Sequence, residues 1–83
     1  MRIRVKLFAG LRDLLPPGTG AAGTEIEITP ETTPYQVIDR FRVPRKQAHL
    51  VLCNGVYLEP EEREHALFRE GDVLAVWPPV AGG

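Results

Sequence analysis

Two short segments that alternate charged and apolar residues, and that carry opposite charges, constrain the fold more than any other feature. Residues 2–7 alternate three basic side chains with Ile3, Val5 and Leu7. Residues 25–28 alternate two glutamates with two isoleucines. A period of two is typical of a half-buried β-strand. If the two strands pair, their acidic and basic side chains share the outer face, where each opposite-charge pair contributes roughly 0.2–1 kcal/mol.

A single amphipathic helix is predicted in the middle of the chain. Thr33 suits the N-cap, because Gln36 three residues later completes a capping box. Pro34 suits the first helical position, since its ring already fixes a helical φ. Pro44 cannot continue a helix, so we expect the helix to end near Arg42.

A hairpin and a final strand complete the predicted elements. Asn54-Gly55 separates the apolar runs 50–52 and 56–58, and it favours a tight turn because both turn positions require a positive φ. Residues 59–65 are charged, contain a proline and are expected to be irregular. Residues 73–77 are apolar on both faces and are predicted to form the last strand. The order of elements predicts an α+β domain, with a mixed sheet covered on one face by one main helix.

The same alternation predicts which apolar side chains face solvent. The hairpin is expected to point four side chains into the core: Leu50, Leu52, Val56 and Leu58. In the last strand the bulkier residues are expected to face inward, which leaves Val73, Ala75 and Trp77 outside. We expect Phe8, Tyr57 and Trp77 to form one exposed patch, because exposed aromatic side chains usually mark interfaces. In the alternative, Trp77 folds over the sheet edge as part of the core.

Length and composition predict one small domain. Of the 83 residues, we assign residues 1–77 to a globular unit and residues 78–83 to an extended tail. A hydrophobic content of 43% and a net charge of -1 are ordinary for a globular protein and favour no nucleic-acid partner. One cysteine permits no internal disulfide, and no apolar run approaches the roughly 20 residues of a membrane span. We therefore expect a cytoplasmic protein with no membrane partner.

The end of the chain carries the strongest functional signal. Its last six residues are Pro78-Pro79-Val80-Ala81-Gly82-Gly83. Gly82 and Gly83 lack a Cβ, so they can thread a narrow channel and leave the last carbonyl carbon open to attack. The prolines hold the base of the arm extended, which lowers the entropy cost of insertion. We interpret Gly83 as the functional group; the alternative is a frayed terminus or an expression remnant.

Three stretches of the chain resemble the MoaD/ThiS family of ubiquitin-like sulfur carriers. They are the first strand with Leu7–Leu14, the segment Leu52–Gly55, and Glu70–Trp77 followed by the diglycine tail. The aromatic-Pro-Pro-Val sequence is most similar to the molybdopterin synthase branch of the family. Two departures are the glycine-rich loop at residues 16–23 and the segment at residues 43–49. The resemblance implies a ubiquitin-like β-grasp fold.

The resemblance also implies a carrier protein rather than an enzyme. An E1-like adenylating enzyme of the MoeB/ThiF type would join the Gly83 carboxylate to AMP, and a sulfur donor would convert it to a thiocarboxylate. The thiocarboxylate would then donate its sulfur to a cyclic pterin precursor inside the large catalytic subunit of molybdopterin synthase. The partner enzyme would use the ATP, so we expect no bound cofactor or metal. The resemblance further implies partner contacts at Phe8, Tyr57, Trp77, Pro78, Pro79, Val80 and Ala81.

Other functions remain open at this point. The same carrier chemistry could serve thiamine, cysteine or tRNA thiolation. In a different class, the chain would be a ubiquitin-like protein modifier that forms an isopeptide bond through Gly83, or a simple interaction module.

Several reactive side chains are interpreted as structural. We expect Cys53 to act as a small hydrophobe and Asp72 to belong to a turn. His49 and His65 have no second ligand at metal spacing. The acidic run at residues 61–64 is expected to be a solvated face.

Overall fold

A five-stranded mixed sheet forms the framework of the protein, and the computed structural model describes it over residues 1–80. The elements are β1 (Arg2–Leu7), β2 (Thr24–Glu27), α1 (Pro34–Arg40), β3 (Leu50–Cys53), β4 (Val56–Tyr57) and β5 (Val73–Trp77). The strand order is β2-β1-β5-β3-β4. The central strands β1 and β5 are parallel, and the other pairs are antiparallel. Short 3-10 helices occupy Ala9–Leu14, Arg45–Gln47 and Glu62–Glu64.

The charged pairing of the first two strands is confirmed. Arg2 lies opposite Glu27, and its Nε donates to the Glu27 carboxylate at 3.0 Å. Arg4 lies opposite Glu25, with its Nη2 3.4 Å from a carboxylate oxygen. The hydrogen bond from Arg2 lowers the pKa of the Glu27 carboxyl. These side chains are exposed, so they set the register more than they add to the free energy of unfolding.

Helix α1 begins where the capping box predicts. The Thr33 hydroxyl accepts from the Gln36 backbone N–H at 3.1 Å, and the Gln36 side-chain oxygen accepts from the Thr33 N–H at 3.0 Å. The helix ends at Arg40, two residues before the predicted end. The N–H of Val43 donates back to the Ile38 carbonyl, which closes the helix end while Arg42 adopts a φ of 62°.

One core fills the space between the sheet and α1. It includes Val37 and Ile38 of the helix, together with these inward strand residues: Ile3, Val5, Leu7, Val51, Cys53, Leu74 and Val76. The predicted inward orientation of Leu50 and Leu52 is wrong, because Val51 and Cys53 occupy the inner face. All four side chains of β3 are apolar, so the alternation of residue types could not predict which face of the strand is buried. The register with β5 decides it, because Val51 and Cys53 lie opposite the buried Val76 and Leu74. Val56 is also wrongly predicted, since 66% of it is exposed on the edge strand.

The acidic segment after β4 contains one buried charge. Arg63 is only 3% exposed, so the predicted solvated face is wrong at this position. Its guanidinium donates to two backbone carbonyl oxygens, and these hydrogen bonds make its burial possible. Phe68, which the sequence pattern did not single out, is buried five residues later, and Leu67 packs partly buried against the core.

Candidate functional site

The outer face of the sheet is apolar over its β5–β3–β4 half. Leu50 lies opposite Trp77, and Leu52 lies opposite both Ala75 and Tyr57. Because opposite residues share a face, these side chains are contiguous. We call the following set the outer patch: Phe8, Leu50, Leu52, Tyr57, Val73, Ala75 and Trp77. The other half of this face, formed by β1 and β2, carries the charged ladder described above.

Two aromatic rings stack at the end of the outer patch. The rings of Phe8 and Trp77 have centroids 4.1 Å apart and lie within 3° of parallel. The Phe8 N–H donates to the Val76 carbonyl at 3.0 Å, which keeps Phe8 in line with the parallel strands. Trp77 is half-buried on the outer face, so it is not part of the core between the sheet and the helix. The stack therefore lies at the point where the chain leaves the sheet.

The tail begins directly at this stack. The Trp77 carbonyl accepts from the His49 N–H at 3.1 Å, which is the last bond described for β5. Pro78 is half-buried, while Pro79 and Val80 are exposed, with 79% of Val80 accessible. The predicted functional residues Ala81, Gly82 and Gly83 lie outside the described residues. The described part of the tail thus projects from the edge of the outer patch.

Tyr57 lies at the opposite side of the outer patch, on the edge strand. It is 43% exposed, as predicted. Leu50 and Leu52 complete the surface between Tyr57 and Trp77, with 37% of Leu50 accessible. Ala75 lies on this face as predicted, but it is buried, with only 9% of it exposed. Sequence reasoning missed these two leucines because it placed them in the core. The partner contacts assigned to Phe8, Tyr57 and Trp77 stay a prediction, but their side chains do share one face.

Cys53 is confirmed as a buried hydrophobe. Burial, followed by the nearby Asp72 carboxylate, raises the pKa of its thiol to about 11. The Cys53 Sγ lies 3.7 Å from the Asp72 Oδ2, so the protonated thiol donates to the carboxylate. A thiol held protonated is a weak nucleophile at neutral pH.

The described residues contain little else that resembles a reaction centre. Within residues 1–80 no three His, Cys, Asp or Glu side chains cluster in a way that would hold a metal ion. An open surface hollow of about 480 Å³ lies beside the glycine-rich loop, and Arg12, Asp13 and Pro17 contribute to its lining.

Among residues 1–80, no helix is both long and apolar enough to span a bilayer.

Comparison with known proteins decides the family. The sequence model of the ThiS family matches residues 5–83 of the chain. The chain belongs to the ThiS family. This membership confirms the resemblance to the MoaD/ThiS sulfur carriers that the sequence motifs indicated.

Individual relatives match over the whole chain. The molybdopterin synthase sulfur carrier subunit of Drosophila ananassae is 32% identical over 84 residues, covering 100% of this chain and 92% of that protein. The Drosophila melanogaster protein of the same name is 26% identical with the same coverage. Two crystal structures of a small archaeal modifier protein, SAMP1 of Haloferax volcanii, superpose with TM-scores of 0.66 and 0.67.

The solved structures establish the fold of this ThiS-family chain. They are 24% and 22% identical to it, and they cover 100% and 95% of its length. Each alignment also covers almost all of the other protein, 100% and 98% respectively. The predicted α+β fold, a ubiquitin-like β-grasp with a mixed sheet and one main helix on one face, is therefore confirmed.

Proposed function

We propose that this ThiS-family protein is the sulfur carrier subunit of a molybdopterin synthase. The observation that carries the proposal is the full-length match, at 32% identity, to a protein of that name. The fold agrees with it, because the outer patch offers an apolar surface that ends where the tail leaves the sheet. The chain itself would be the non-catalytic partner in the complex.

The proposed chemistry takes place at the carboxylate of Gly83. A carboxylate is a poor electrophile, because attack on it would have to expel oxide or hydroxide. An E1-like adenylating enzyme of the MoeB/ThiF type removes this obstacle: a carboxylate oxygen attacks the α-phosphorus of ATP and pyrophosphate leaves. Hydrosulfide then attacks the acyl carbon, AMP leaves with the bonding electron pair, and loss of the remaining S–H proton gives the thiocarboxylate. If the donor is instead a protein persulfide, the acyl disulfide that forms is reduced by a thiol, which takes up the donor's sulfur as a disulfide and releases the thiocarboxylate. The carrier needs no nucleotide site of its own.

The outer patch is the proposed docking surface for both partners. The adenylating enzyme and the large catalytic subunit of molybdopterin synthase must each hold the domain while the tail enters a reaction site. Six residues from Pro78 reach at most about 20 Å at 3.3–3.6 Å per residue. The patch and the base of the tail adjoin one another, so a partner that covers the patch lies within reach of Gly83.

Intact-mass measurement tests the chemistry directly. We expect the protein to gain about 16 Da, from the replacement of one oxygen by sulfur, after incubation with an adenylating enzyme, ATP and a sulfur donor. Deletion of Gly83 is the matched control: it should abolish the gain and leave the thermal unfolding midpoint unchanged, because the last strand of the sheet ends at Trp77. The thiocarboxylated protein should then pass sulfur to a pterin precursor when the large subunit is added.

Other outcomes of this experiment would contradict the proposal. A mass gain that survives deletion of Gly83 would place the chemistry elsewhere in the chain. Adducts linked to lysine would instead identify a protein modifier. A thiocarboxylate that does not react with the pterin precursor would favour thiamine, cysteine or tRNA thiolation as the destination of the sulfur.

A further inference from the structure

The buried guanidinium of Arg63 contacts one residue of the outer patch. Its Nη2 donates to the Tyr57 hydroxyl oxygen at 3.2 Å. The guanidinium carbon also lies 5.5 Å from the centre of the Tyr57 ring. Arg63 is 3% exposed, whereas Tyr57 is 43% exposed. A buried guanidinium therefore hydrogen-bonds the hydroxyl of an exposed tyrosine.

Arg63 is itself fixed by the backbone at both ends of the hairpin. Its Nε donates to the Leu58 carbonyl at 2.9 Å, and its Nη1 donates to the Ala48 carbonyl at 3.0 Å. Ala48 precedes β3 and Leu58 follows β4, so these bonds orient the planar guanidinium relative to the edge strand. All three described acceptors are neutral oxygens. The planar guanidinium can donate all three hydrogen bonds in fixed directions. A lysine ammonium has only three donors, which rotate about one nitrogen, so it cannot reach the same three acceptors in the same directions.

The hydrogen bond from Arg63 determines whether the Tyr57 hydroxyl donates or accepts a hydrogen bond toward a partner. A guanidinium only donates hydrogen bonds, so the phenol oxygen must be the acceptor. The hydrogen of the hydroxyl must then point away from Arg63. Because Tyr57 is exposed on the outer patch, this hydrogen is available to an acceptor on a bound protein.

We propose that Arg63 is a positioning residue that holds Tyr57 so that its hydroxyl donates a hydrogen bond to an acceptor oxygen of the docked partner. The inference rests on the proposed function, since it requires that the outer patch binds the large catalytic subunit. It adds a polar, directional contact to a surface that is otherwise apolar. Fixing the side chain before binding lowers the entropy cost of forming that contact.

A double-mutant cycle measured by calorimetry tests the coupling. The probe is the large catalytic subunit of molybdopterin synthase from the same organism. We expect Tyr57→Phe to weaken binding by roughly five- to tenfold, which matches the loss of one hydrogen bond. Arg63→Lys should weaken it by a similar factor. In the Tyr57→Phe background, Arg63→Lys should have almost no further effect, because the hydroxyl it positions is already absent.

A second Arg–Tyr pair in the same protein supplies the control. The guanidinium carbon of Arg45 lies 4.0 Å from the centre of the Tyr35 ring. Tyr35 belongs to helix α1 and not to the outer patch. Arg45→Lys should therefore leave the affinity unchanged. All affinities are measured at a temperature where circular dichroism shows that each variant is folded.

Three results would overturn the inference. If Arg63→Lys weakens binding equally in both backgrounds, Arg63 supports the fold and does not position Tyr57. If Tyr57→Phe binds as well as the wild type, the hydroxyl makes no contact, and this result overturns the inference even if Arg63→Lys fails to fold. If the wild type does not bind the large subunit at all, the proposed function itself fails and the inference falls with it.

Discussion

Gly23 occupies a position where any larger side chain would strain the backbone and collide with strand β1. It precedes β2 and adopts a φ of +82°. A Cβ at this position would overlap the backbone carbonyl oxygen of Val5 and would lie 2.8 Å from the Cγ of Lys6. Both the backbone conformation and the close approach to β1 therefore require glycine.

We expect Gly23→Ala to lower the free energy of unfolding by about 2–4 kcal/mol, from left-handed backbone strain together with steric overlap. Gly18→Ala is the control, since Gly18 has a similar φ of +84° but an added methyl group there would meet no atom within 4 Å. It should cost only about 1 kcal/mol. Urea denaturation of the wild type and the two variants measures both changes in the free energy of unfolding. Equal losses for the two variants would show that the contact with Val5 contributes nothing.

At the scale of one element, β5 has two faces with different tasks. Val76 is fully buried against the core, while its neighbour Trp77 stacks on Phe8 in the outer patch. Successive residues of a strand point to opposite faces, so substitutions at these two positions separate stability from binding.

We expect Trp77→Ala to weaken binding of the large catalytic subunit more than tenfold, because tryptophan is among the residues whose truncation costs an interface most. Its unfolding free energy should fall by only about 1–2 kcal/mol, since the ring is half-buried and stacked. Val76→Ala should show the reverse, with a loss of roughly 2 kcal/mol in stability and unchanged affinity. Calorimetry and thermal unfolding of both variants provide the measurements. A larger stability loss for Trp77→Ala than for Val76→Ala would mean that Trp77 acts as a core residue.

At the scale of the whole molecule, Asp72 joins three parts of the sheet. Its carboxylate accepts from the Asn54 side-chain amide and from the Arg69 N–H, both at 2.9 Å. Its backbone carbonyl accepts from the Arg4 N–H at 2.8 Å. Partial burial alone would raise the pKa of the Asp72 carboxyl, but these side-chain and backbone hydrogen bonds outweigh burial and lower it.

The lowered pKa of Asp72 predicts how stability depends on pH. An aspartate whose pKa is lower in the folded state stabilises that state above its unfolded pKa, about 3.9, and loses this contribution as the pH falls through the folded value. We expect Asp72→Asn to be less stable than the wild type by about 1–3 kcal/mol at pH 7. The difference should narrow below pH 4, a value of the order of the unfolded pKa. Urea midpoints across this range provide the measurement, and a difference that stays constant with pH would show that the charge of Asp72 is not involved.

Local sequence signals predicted the elements because each signal has a local physical cause. The capping box at Thr33 and Gln36 satisfies helix N–H groups within one turn. Asn54 and Gly55 have positive φ values of 52° and 82°, as their residue types favour. The face of β3 and the burial of Arg63 could not be predicted in this way. Each depends on partners distant in the chain.

The sequence by itself determined the order of elements, the charged register of β1 with β2, and the family, since motifs and alternation are properties of neighbouring residues. Only the tertiary structure decided that Leu50 and Leu52 join Tyr57 and Trp77 on the outer face. It also decided that the buried Arg63 hydrogen-bonds the Tyr57 hydroxyl. The physical reason is the same for both. A uniformly apolar strand can bury either face, and a guanidinium can be buried only where distant backbone carbonyls meet it, so the choice depends on packing between segments far apart in the chain.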